Sequence, residues 1–281
     1  PPAPVKNSYA MFVAAGLIAG CAALFFFMQN SPWRKEPPQV SGESAANDES
    51  SFSYDGVLYS LQKMSGLAFL PESDKLRVAR LALSPDYRVS EAALELLGAW
   101  AADPADPRRR RWFSELLSAA ETSEHISSRR RGALEAGAAL ALGFPQGDQQ
   151  ERIRQLAASL AAREEVDLKA GGFFLGAMAG LPEFEPRLKD ALENDPRPYV
   201  KLYAACGLSR FGLAGGDDYL FGAAGGGGEL QEEALYCSAF SVSPEAGKLL
   251  ARVALESAGT PAEVSAKRSL TIRKQLAIIK K

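Results

Sequence analysis

Three patterns of apolar and polar positions follow one another along the chain. From Tyr9 to Met28 the run YAMFVAAGLIAGCAALFFFM carries no charge, which suits a helix crossing about 30 Å of hydrocarbon. From Asn30 to Ser53, NSPWRKEPPQVSGESAANDESSFS, bulky apolar residues give way to Pro, Ser, Asn and Glu; such a segment cannot offset its ordering entropy by burial. Beyond Tyr54 nothing alternates with period two, and apolar or alanine positions recur at helical spacing, as at Ala92, Ala93, Leu96, Leu97 and Trp100. The pattern predicts an all-α chain: a short tail over 1–8, a single transmembrane helix over 9–28, a flexible linker over 29–53 and a helical domain over 54–281.

Breakers punctuate that domain at Pro71, Pro85, Pro104, Pro107, Pro145, Pro182, Pro186, Pro196, Pro198, Pro244 and Pro261, leaving helices of about 10 to 18 residues. Several of the segments between them are alike. Tyr87–Trp100, Ser128–Gly143, Glu165–Gly180, Arg197–Gly212 and Thr271–Lys280 align, with starts about 30 to 40 residues apart and one unit spanning the longer gap. The pattern is clearest in Pro198, Val200, Lys201, Ala204, Ala205, Leu208, Phe211 and Gly212. It resembles the second helices of HEAT-type repeats, over most of Ser84–Lys281, and departs from them around Glu229–Ser243. The resemblance implies an α-solenoid of stacked helical hairpins, each burying its apolar face on its neighbours and together offering an extended binding surface.

The flanks of the apolar run fit an anchor: Lys6 and Tyr9 stand before it and Trp33, Arg34 and Lys35 after it, with aromatic rings at the two interfaces. Ile18-Ala19-Gly20-Cys21 also resembles a lipoprotein cleavage box, in which Cys21 would carry the lipid, although Ala22–Met28 stays apolar where such a protein turns polar. Gly16 and Gly20 form a G-x-x-x-G pair that lets two helices approach closely, so a homodimer is one expectation. Basic residues on both sides leave orientation undecided by charge. The early position of the run favours a signal anchor in a bacterial inner membrane with the repeat domain in the periplasm.

Composition narrows the chemistry. A net charge of −2, with 23% charged residues, offers no global basic field for nucleic acid. Cys21, Cys206 and Cys237 show no Cys-x-x-Cys spacing; Cys206 and Cys237 lie among small apolar neighbours as core thiols, and in an oxidising compartment they are candidates for a disulfide between adjacent repeats. The one histidine, His125, sits in a polar turn with no G-x-S-x-G elbow to serve. Gly225–Gly228 lacks the Gly-Lys-Ser/Thr that follows in a phosphate loop. The adjacent pairs Glu164-Glu165, Asp217-Asp218 and Glu232-Glu233 point in different directions on a helix. Neither catalytic residues, nor a metal site, nor a bound cofactor is expected.

Two arginine runs stand out as candidate partner-binding residues: Arg108, Arg109, Arg110 and Arg111 with Trp112, and Arg129, Arg130 and Arg131. Both place positive charge near a helix start, where the macrodipole disfavours it. On one edge of a stack they would attract an acidic partner or anionic lipid. The competing expectation leaves them solvated or pairs them with Asp103, Asp106, Glu121 or Glu124, and gives Arg131 the place of the basic residue in the repeat. The basic, amphipathic C-terminal stretch from Lys267 to Lys281 is expected to cap the stack.

The function these features favour is a membrane-anchored scaffold or adaptor that holds a partner protein of an envelope complex on its helical surface. One alternative is a HEAT-like enzyme or cofactor-handling helper of lyase type. The other is a stack that binds anionic lipid or nucleic acid through the arginine runs, nucleic acid being the less favoured because few aromatics lie nearby to stack on bases.

Overall fold

The structure is a computed structural model that describes residues 54–65 and 70–279. The anchor expected over 9–28, with Gly16, Gly20 and Cys21, and the linker over 29–53 lie outside the described residues. Among those residues every regular element is helical, and no helix is long and apolar enough to cross a membrane. The chain divides into two units, Pro1–Leu70 and Pro71–Lys281. In the first, α1 spans Tyr54–Ser65.

The second unit holds twelve α-helices among the described residues: α2 (Glu72–Leu81), α3 (Tyr87–Ala102), α4 (Arg109–Thr122), α5 (Ile126–Ala141), α6 (Gln150–Ala161), α7 (Val166–Met178), α8 (Glu185–Asn194), α9 (Pro198–Phe211), α10 (Gly216–Gly225), α11 (Gln231–Ser238), α12 (Pro244–Glu256) and α13 (Pro261–Ile279). They pair in order as hairpins, α2 with α3 through α12 with α13. The second helix of each hairpin packs on the second helix of the next, so α3, α5, α7, α9, α11 and α13 form an inner row. The first helices form the outer layer, in which α4 meets α6 and α10 meets α12.

Local chemistry sets the boundaries. Asp86 caps α3, accepting hydrogen bonds from the backbone N–H of Arg88 at 2.9 Å and of Val89 at 3.4 Å, and Ser243 caps α12 by accepting from Glu245 N–H at 3.3 Å. Proline occupies the first turn of α8, α9 and α12, where no intrahelical donor is lost. Gly212, at φ +73°, closes α9 in the left-handed conformation that disfavours any residue with a Cβ.

The inner helices α5 and α7 are buried on almost every side. Eleven residues of α5 and ten of α7 are buried, against two of α8, which explains why α5 and α7 read as alanine and glycine runs and not as one-sided stripes. Small residues let backbones touch. A Cβ on Gly132 would lie 2.8 Å from the Leu116 carbonyl of α4, and one on Gly172 would press still closer on Ala161 of α6. The row curls tightly enough that Phe174 of α7 meets Tyr203 of α9, Tyr236 of α11 and Phe240 in the turn after it, with ring centroids 5.9, 5.9 and 5.3 Å apart. This aromatic cluster is the centre of the core.

The segment from Glu229 to Ser243, where the repeat pattern lapses in sequence, still supplies the short inner helix α11. The C-terminal element begins at Pro261 and runs as one 19-residue helix, longer than the aligned Thr271–Lys280.

Candidate functional site

Consecutive residues on an α-helix point about 100° apart, and on α5 this spreads Arg129, Arg130 and Arg131 over three environments. Arg129 turns outward and donates from Nε to the Ala120 carbonyl of α4 at 3.1 Å. Arg130 turns along the inner row and hydrogen-bonds the Tyr199 hydroxyl. Its guanidinium lies 3.5 Å from Asp167 of α7 and 3.6 Å from Glu233 of α11. Glu233 also accepts from Tyr203 at 2.7 Å and from Tyr199 at 3.3 Å. One arginine thus joins α5, α7, α9 and α11.

Arg131 turns the other way, to Glu95 of α3 at 3.2 Å and to Glu135, one turn along α5, at 3.4 Å. Glu135 is 7% exposed and packs directly on Gly98 of α3, where a Cβ would collide with its carboxylate. Burial pushes the Glu135 carboxyl up to about 7; the positive charges of Arg131 and Arg268 pull it down, and Glu95 reinforces the rise. Burial also works against the Arg131 charge, yet Glu135 and Glu95 outweigh it and hold the guanidinium above its ordinary value. The hydroxyls of Tyr203 and Tyr236 are pushed up chiefly by burial. The Nε atoms of Arg130 and Arg131 are buried without a hydrogen-bond partner among the described residues.

Chemically, this inner face is a set of fixed charges with one carboxyl that titrates near neutrality. The mechanical role of the arginines is plain: each links helices of different hairpins. Glu135 is buried, with its carboxylate packed on Gly98 of α3.

The first arginine run lies on the outer helix α4. Arg108 pairs with Glu72 at 2.6 Å. Arg109 donates to the Ala101 carbonyl at 3.2 Å and lies over Phe144. Arg111 lies 3.8 Å from Glu115 and over the Trp112 ring. Arg110 is exposed, with no ion pair among the described residues. Trp112 is fully buried, edge-on to Trp100, and its Nε1 donates to Asp106 at 3.2 Å. The structure therefore sets the two runs on different rows; of the four expected carboxylates only Asp106 is met, by the Arg108 backbone N–H at 2.8 Å and by Trp112, and among the described residues no guanidinium of either run pairs with any of the four. Asp106 instead takes the Lys75 ammonium, and Glu121 takes Arg152 at 2.8 Å.

The remaining candidates fall as follows. His125 stands at the start of α5, where its Nε2 donates to the Pro85 carbonyl at 2.6 Å and its ring meets Tyr87 edge-on. Cys206 and Cys237 are buried thiols on α9 and α11; Cys206 Sγ donates toward the Cys237 carbonyl at 3.9 Å, and burial raises the Cys237 thiol. Gly225–Gly228 ends α10 and turns into α11, with Gly227 at φ +72°. No group of three or more metal-ligating side chains occurs among the described residues.

Three features escaped sequence reasoning. Glu135 was signalled only by an acidic residue inside an alanine-rich face. Asp195 had no signal beyond its place before Pro196; it is 7% exposed and receives Lys169 at 3.0 Å and Arg197 at 2.7 Å, which hold its carboxyl well below the usual range. Third, Tyr87 and Ile126 at the starts of α3 and α5 are 50% and 43% exposed, Leu83 in the turn before α3 is 53% exposed, and the Tyr87 ring meets His125 edge-on.

Comparisons with protein-family models, with curated proteins and with solved structures return no match for this chain.

Proposed function

We propose that this chain is a membrane-anchored scaffold whose HEAT-like stack holds a partner protein of an envelope complex. Residues 9–28 form the anchor, residues 29–53 form the tether, and the stack faces the periplasm. The observation that carries this reading is the exposure of Leu83, Tyr87 and Ile126 near the starts of the first two inner helices, with Tyr87 edge-on to His125. Large apolar side chains left in water at the ends of neighbouring hairpins are a surface that a partner covers. Arg110, exposed and without an ion pair, lies on the same half of the stack and supplies charge for an acidic rim.

The test is crosslinking in native membranes, extraction in mild detergent and identification of the proteins that co-purify. A defined partner is expected, and it should be lost when Tyr87→Lys and Ile126→Lys are combined, since both sites are exposed and their substitution leaves the core intact. Recovery of the chain alone, monodisperse and uncrosslinked, overturns the scaffold reading.

A further inference from the structure

The last helix of the inner row has two sides of different chemistry. One side is fixed in place. Ala262, Ala266, Ser269 and Leu276 are buried where α13 packs on α11 and α12. Arg273 donates from one guanidinium nitrogen to the Ser241 carbonyl at 2.6 Å and from the other to the Ser243 carbonyl. These bonds tie the middle of α13 to the turn between α11 and α12.

Among the described residues nothing covers the other side. At about 100° per residue, Val264, Lys267, Thr271, Lys274 and Ile278 fall on one stripe opposite the buried residues, and all five are exposed. Val264 and Ile278 are 61% and 73% exposed and lie about 21 Å apart along the axis. The stripe carries charge of one sign. Glu263, the only acidic residue of α13, sits at its margin and pairs with Lys267, while Lys274 has no ion pair among the described residues. On the far flank Ser265 donates to Glu232 of α11 at 3.3 Å, and Arg268 at the near edge lends its charge to the Glu135 layer. Lys280 and Lys281 follow in the sequence.

The outer side of a terminal helix must be polar for solubility, and mixed charges meet that need. Lysines interleaved with exposed valine and isoleucine suit a bilayer surface instead. The apolar groups enter the headgroup boundary, and the lysine stems lie beside them while the ammonium groups reach lipid phosphates. Two large apolar side chains are too few for a packed protein interface. They suffice for a helix held near a membrane, because an anchor supplies a high local concentration. We infer that the outward stripe of α13 is a docking surface for an anionic lipid bilayer, so that the stack lies down on the membrane that holds it. This rests on the reading of residues 9–28 as an anchor.

The test is hydrogen exchange on the full chain, one copy per nanodisc, in discs of phosphatidylcholine alone or with phosphatidylglycerol as about a third of the lipid. The α13 amides should exchange about tenfold more slowly on the anionic discs, with those of the outer helix α8 unchanged. High salt should erase the difference. So should Lys267→Gln, Lys274→Gln, Lys280→Gln and Lys281→Gln combined, with exchange in α5 and α7 unaltered as the check that the stack stays folded. Equal α13 exchange on the two discs overturns the inference, as does a difference that the lysine variant retains. Protection that requires two copies in one disc, on either lipid, gives the stripe to a second copy and overturns the lipid reading. A chain that enters neither disc removes the anchor and the inference together. Co-purification of a protein partner is measured separately, so loss of lipid docking leaves the scaffold reading to be judged on its own.

Discussion

Gly172 and Gly222 are both helical glycines, and their surroundings give them opposite consequences. A Cβ on Gly172 would press on the backbone of Ala157 and Ala161 in α6, whereas one on Gly222 would meet nothing within 4 Å. Gly172→Ala should therefore lower stability by about 1–3 kcal/mol, because two packed backbones must separate. Gly222→Ala should be neutral or stabilise by up to about 1 kcal/mol through helix propensity and a less free unfolded chain. Denaturant midpoints of the two variants check this, and a loss at Gly222 as large as that at Gly172 would contradict the close approach of α6 and α7. The sequence marks both residues alike. Only the packing separates them.

At the scale of elements, several turns between helices are held by carboxylates placed just before the next helix. Asp195 is the fullest case. It joins the backbone N–H and guanidinium of Arg197 to Lys169, which projects from α7. Asp195→Ala removes the hydrogen bonds that fix the start of α9 and leaves two partly solvated cations without their acceptor, a cost of about 1–3 kcal/mol. Asp195→Asn, which keeps part of the hydrogen bonding, should lose less. Thermal unfolding of the two variants orders them. The arrangement was half legible in sequence: Asp86, Asp106 and Asp195 each precede a helix by one to three positions, which suits a cap. Their long-range partners were not legible, because Lys75 and Lys169 reach them only after the hairpins stack.

For the whole molecule, the inner polar layer makes stability depend on pH in a stated direction. Glu135 has a folded value raised to about 7 from an ordinary value of 4.5. The folded state thus holds a proton that the unfolded state releases. Its contribution is complete below about 4.5 and is lost as the pH rises through 7, by about 3 kcal/mol at most. Asp106 and Asp195 run the other way. Lysine, backbone and tryptophan donors outweigh burial at Asp106, and Arg197 and Lys169 do so at Asp195, holding both carboxyls low. Their stabilisation is present above the unfolded value near 3.8 and is lost as the pH falls through their lower folded values. Stability should therefore peak near pH 5 and decline toward pH 8. Glu135→Gln should flatten that decline while leaving the acid limb unchanged. A melting series from pH 4 to 8 on both chains checks it, and an unchanged slope in the variant would place the titrating group elsewhere.

The sequence by itself determined what depends on neighbours a few positions away. Helical periodicity, proline and glycine breaks and the recurrence of like segments were enough for an all-α domain of stacked hairpins, and the apolar run over 9–28 was enough to expect an anchor. Tertiary structure alone decided what depends on residues far apart in the chain. It placed Arg108–Arg111 at the start of an outer helix and Arg129–Arg131 on an inner one, and it turned three adjacent arginines in three directions, to α4, to α7, α9 and α11, and to α3. It also gathered Glu95, Arg131, Glu135, Tyr236 and Arg268 from four helices into one layer. The physical reason is that periodicity fixes which face of a helix is apolar, while the curl of the row fixes which faces meet. That curl comes from the summed sizes of alanine, glycine and aromatic side chains across the inner helices, a quantity no local pattern contains.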